Sequence, residues 1–108
     1  MRFLLLVCTE TITDPAPDAE SDVDRWVETH DASGARVWGD RLEDASESRV
    51  VRVRGTGASV QPGPLHAAHQ AIAGLDILEC ESLDAAVEVA LDHPMARLGV
   101  LEVRPFAG

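Results

Sequence analysis

Residues 3–8, FLLLVC, form an unbroken apolar run bounded by the polar TET at 9–11. A short continuous run without a helical stripe predicts a fully buried, central strand. The prolines and aspartates of TDPAPD (13–18) predict a loop that ends in a helix N-cap at Asp18 or Ser21. Val23, Trp26, Val27 and His30 then recur at helical spacing, with Asp22, Arg25 and Glu28 on the opposite side and Gly34 as the stop. A short strand is predicted over 35–39. It is followed by a clearer one over 49–54, RVVRVR, in which Val51 and Val53 share one face and Val50, Arg52 and Arg54 the other. The GTG at 55–57 turns the chain, and residues 58–61 can pair back as a hairpin. A second apolar strand is predicted over 71–80. Ser82 provides a cap, and Leu83, Ala86, Val87, Ala90 and Leu91 give the cleanest helical stripe. His93 before Pro94 ends that helix, and residues 98–104 make a closing strand.

The order strand, helix, strands, strand, helix, strand predicts an α+β chain: a ferredoxin-like split β-α-β, with two helices on one face of a mainly antiparallel sheet. The length of 108 residues fits a single domain spanning 1–108. A chain of this size buries a modest core, so a second copy is expected to cover apolar surface left open on the sheet.

Nineteen acidic against nine basic residues give a net charge of −10, which repels phosphate backbones and anionic leaflets. Neither nucleic acid nor membrane is therefore an expected partner. The opening apolar run is too short for a span and carries no cleavage site, so a cytoplasmic protein is expected. Cys8 and Cys80 each sit in an apolar run and read as reduced, buried thiols. No phosphate loop, serine elbow, zinc helix motif or C-x-x-C pair occurs, and no cofactor is expected.

The C-terminal stretches LDAAVEVALDHP (83–94) and GVLEVRP (99–105) resemble the YCII-related proteins, in particular the subgroup named for a D-G-P-F motif. Residues 1–7, 41–42 and 50–53 are placed as that family places its first strand and second sheet segment. PGPL at 62–65 stands where the D-G-P-F motif would, and Ala73, Gly74 and Leu75 replace a G-G-F. The resemblance implies a homodimer of ferredoxin-like domains whose sheets face each other in a dimeric α-β barrel. It also implies a stress or regulatory association, because such bacterial genes often accompany alternative sigma factors. In related proteins a histidine near the first helix and an aspartate before the final proline are thought to act as a catalytic pair. Here those places hold Val23 and Asp24, and His93, so the dyad is not expected to carry over. The expected function is a dimeric ligand-binding or regulatory module. The alternative is a lyase or isomerase moving a proton in the cavity of the fold.

Several residues are candidates for chemistry. His66 and His69, three apart, can present two imidazoles to one metal ion if Cys8, Glu10 or Asp14 supplies a third ligand; otherwise they are exposed loop histidines. His30 reads as a half-buried histidine bonded to a backbone carbonyl, and His93 as a cation at a helix C-terminus. Asp76 interrupts an apolar strand, either facing solvent or lining a cavity as a general base. Trp38, Arg52 and Arg54 are either surface residues or a stacking and charged seat for a small-molecule ligand. Convergence of His30, His66, His69, His93 or Asp76 on one apolar pocket would favour the enzyme; scatter over the exterior would favour the module.

Overall fold

The computed structural model describes residues 1–10 and 19–108. Strand β1 (Arg2–Thr9) leads to helix α1 (Ala19–Ser33) and strand β2 (Arg36–Arg41); β3 (Arg49–Arg54) and β4 (Gly57–Pro62) follow. After a 3-10 turn at Ala67–Ala71 come β5 (Ile72–Glu79), α2 (Leu83–Leu91), the single turn α3 (Met95–Leu98) and β6 (Gly99–Pro105). The main sheet has the order β2-β5-β1-β6, antiparallel throughout, while β3 and β4 form a separate two-stranded hairpin. This is the expected α+β arrangement with the helices on one face of the sheet. The N-cap expected at Asp18 and the loop expected over 13–18 lie outside the described residues. Ser21 lies within α1 rather than capping it.

Strand alternation explains the core. β1 is central, as its apolar run predicts, but it is fully buried on one face only. Phe3 and Leu5 are wholly buried under the helices, while Leu4 and Leu6, on the other face, are half-buried. Opposite Phe3 lies the wholly buried Leu78 of β5. Burying such side chains contributes roughly 1.5–3 kcal/mol each. Trp26 from α1 and Ala86 and Ala90 from α2 complete the cluster. The Trp26 indole donates to the Val89 carbonyl at 3.0 Å, tying α1 to α2.

The stripe read on α2 is rotated by one position. Ala86 and Ala90 face the core, while Leu83, Val87 and Leu91 stay exposed. Two alanines let the helix axis approach the sheet closely, so the larger side chains are left on the flank. Ser82 caps the helix as expected, its hydroxyl accepting from the Ala85 N–H at 3.1 Å. The stop at Gly34 also stands, with φ of 81° in the left-handed region. No helix among the described residues is long and apolar enough to cross a membrane.

Candidate active site

Strand β5 carries a carboxylate into the protein interior. Its alternation sends Gly74, Asp76 and Leu78 to the helix side, so Asp76 lies opposite Leu5 on one flank and Gly39 on the other. The residue is only 6% exposed. Gly39 makes room for it, because a Cβ there would run into the Asp76 carboxylate and come within 2.7 Å of the Leu75 carbonyl. Arg36 of β2 compensates the buried charge. Its Nε donates to Asp76 Oδ1 at 2.7 Å and its Nη1 to Asp31 Oδ1 at 2.9 Å. Burial works against the guanidinium charge, but Asp76 and Asp31 outweigh it and hold Arg36 protonated.

The segment after α2 supplies the second buried polar group. His93 is 4% exposed, and its Nδ1 accepts from the Met95 N–H at 2.9 Å. In the neutral ring the proton then sits on Nε2. Burial pushes His93 below the ordinary histidine value; the Asp76 charge opposes this and His30 reinforces it. The cation expected at the helix terminus is therefore a neutral imidazole. Because the folded state resists protonation, the stability tied to neutral His93 is present above the unfolded value of about 6.5 and is lost as pH falls below it toward the lowered folded value. Chemical denaturation should show that loss as pH falls below about 6.5, and H93Q should flatten it.

Trp26 stands between two imidazoles. Its ring meets His93 edge-on at 4.5 Å and His30 at 5.1 Å. His30 does not bond a backbone carbonyl as read from the sequence: its Nε2 lies 3.0 Å from Asp92 Oδ2. The expectation that this chain has no His-Asp pair is thereby overturned. Its histidine is seven residues along the helix from Val23, and its aspartate is one residue before His93, so neither stands where the resemblance directed attention. The His30 side chain is mostly buried at 13% exposure, and that of Asp92 is exposed at 66%.

A cleft of about 450 Å³ lies between α1, β2 and β5. Val7, Val23, Trp26, Val27 and Met95 give it apolar walls; Asp76, Arg36 and His93 reach it from the interior, with Asp24 and Asp40 also lining it. A larger hollow of about 740 Å³ runs beside the β3–β4 hairpin, but no buried residue lines it. The smaller cleft is therefore the one lined by buried polar groups held in place by hydrogen bonds, the condition under which they act chemically.

Of the residues singled out in the sequence, His30, His93 and Asp76 gather around Trp26 and the cleft. His66 and His69 stack edge to face at 5.4 Å on the exposed 3-10 turn. Among the described residues no group of three or more metal-ligating side chains forms; Asp14 lies outside them. Arg52 and Arg54 sit on the exposed hairpin, and Trp38 is 58% exposed on β2. Cys8 and Cys80 are free and partly buried, with desolvation as the main cause raising both thiols above their ordinary value. Sequence reading missed Arg36, Asp92 and Gly39. The only signals for them were a basic residue opening a short strand, an acid next to a histidine, and a glycine within what is now β2.

Comparisons with known proteins agree with this architecture. No curated relative matches the chain. A solved structure of similar fold is the 5-chloro-2-hydroxyhydroquinone dehydrochlorinase from Burkholderia phenoliruptrix AC1100 in complex with 2,5-dihydroxybenzoquinone. It is 16% identical over 98% of this chain and 93% of that one, with a TM-score of 0.51. The YCII-related domain model matches residues 6–107, nearly the whole length, and the chain belongs to the YCII-related domain family.

Proposed function

We propose that the protein is a small-molecule enzyme of the lyase or isomerase type, moving a proton on a substrate held in the cleft under α1. This replaces the non-catalytic module expected from the sequence. The observation that carries it is the convergence of Asp76, His93 and the His30–Asp92 pair around Trp26. Asp76 is the base. Arg36 occupies its Oδ1 and leaves Oδ2 to take a proton from carbon next to a carbonyl. As that bond breaks, its electrons move to the carbonyl oxygen, where the His93 Nε2–H donates a hydrogen bond. Protonated Asp76 then returns the proton to a different carbon, or a leaving group departs with the electron pair. The His30–Asp92 bond positions the site by tying α1 to the segment that carries His93. The solved structure of similar fold is named a dehydrochlorinase, a reaction that removes a proton and a chloride.

The enzyme is expected to work as a homodimer, on the size of the chain and its open sheet face, and in the cytoplasm. Solvent exchange provides the test. Small cyclic ketones and 1,3-diones are incubated with the protein in D2O, and deuterium at the carbon next to the carbonyl is followed by NMR. Exchange above the buffer rate is expected, falling to that rate in D76N and sharply in H93Q. Exchange at the buffer rate with the native protein, or catalysis untouched by both variants, overturns the reading.

A further inference from the structure

The β3–β4 hairpin is patterned for a partner that the described residues of the chain do not supply. Its register places Val51, Val53, Ala58 and Val60 on one face, and Arg52, Arg54, Ser59 and Gln61 on the other. Such alternation belongs to a strand pair with one buried face. Neither face is buried: Val51, Val53 and Val60 are 65%, 63% and 64% exposed. The two strands make their main contacts only with each other. A lone two-stranded hairpin is marginal in water, and an unpartnered apolar patch marks an interaction surface. The outline of the molecule agrees. Its radius of gyration is 16.0 Å, against about 13 Å for a compact chain of this length.

Charge identifies the partner. Residues 49–62 hold three of the nine basic residues and none of the nineteen acidic ones, so the hairpin carries +3 and the remainder of the chain −13. A basic, apolar arm on an acidic body complements another copy of the same body. The helix-free face of the main sheet offers the matching chemistry. Trp38 and Val100 are exposed there, and Glu102 and Arg104 lie on the same face, opposite the half-buried Leu6 and Leu4. We infer that the hairpin is an exchanged arm, its valine face covered by a second copy of this chain and its arginines set against that copy's acids.

The inference rests on the homodimer proposed above, and the experiment separates the two. Mass is measured by analytical ultracentrifugation at micromolar concentration for the native chain, for V51D/V60D and for R52E/R54E. The native chain is expected to be a dimer. V51D/V60D, which must bury two carboxylates in the interface, should weaken it by at least about 100-fold while circular dichroism stays native, because Val51 and Val60 are 65% and 64% exposed in the single chain. R52E/R54E should weaken the dimer at low salt, with the loss shrinking as salt is added. A dimer that survives V51D/V60D at native strength overturns the exchanged arm and leaves the dimer standing. A monomeric native chain overturns both.

Discussion

Arg36→Met is expected to destabilise the protein by about 3–5 kcal/mol, because it leaves Asp76 in the interior with its counter-charge gone. The Arg36 and Asp76 side chains are 12% and 9% exposed, so water offers little replacement. The second carboxylate on Arg36, Asp31, is 48% exposed and is rehydrated when the arginine is lost. Urea denaturation with an unchanged slope would measure the cost. The double variant Arg36→Met/Asp76→Leu discriminates between explanations. With both charges replaced by apolar groups of similar bulk, most of the loss should return, since the pair itself contributes little net stability once its desolvation is counted. A double variant as unstable as the single one would mean that Arg36 acts through packing. A pair that adds little stability but lines a cleft points to a chemical use: Arg36 orients the Asp76 carboxylate through the 2.7 Å bond to its Oδ1, where an apolar core would be at least as stable.

Gly39→Ala is expected to cost about 3 kcal/mol or more, or to detach β2 from the sheet. The added methyl meets the Asp76 carboxylate and lies 2.7 Å from the Leu75 carbonyl. A side chain can rotate away, but a backbone carbonyl in a strand pair cannot move without breaking the pairing of Gly39 with Asp76. Gly34→Ala offers a contrast: no atom lies within 4 Å of its added Cβ, and its cost comes from the φ of 81°. Amide exchange would separate the two. Faster exchange in β2 and along the facing edge of β5 is expected for Gly39→Ala, and fraying confined to the end of α1 for Gly34→Ala.

The sequence by itself determined the local elements and their order. Apolar runs, valine alternation, the Ser82 cap and the Gly34 stop act over a few residues, and each appears where the pattern places it. The hairpin was legible for the same reason, down to which valines share a face. What tertiary structure decided is which face meets which neighbour. Asp76 was equally compatible with solvent and with the interior until β2 brought Arg36 over it and Gly39 left room. On α2, only Ala86 and Ala90 of the five-residue stripe reach the core, and Leu83, Val87 and Leu91 stay exposed. His30 and Asp92 are 62 positions apart, and burial in the folded chain, with Trp26 packed edge-on at 4.5 Å, pushes His93 below the ordinary histidine value. Propensity and periodicity are properties of neighbours in the chain. Charge pairing, desolvation and close approach belong to neighbours in space, and in this protein the candidate site is built almost entirely from the second kind.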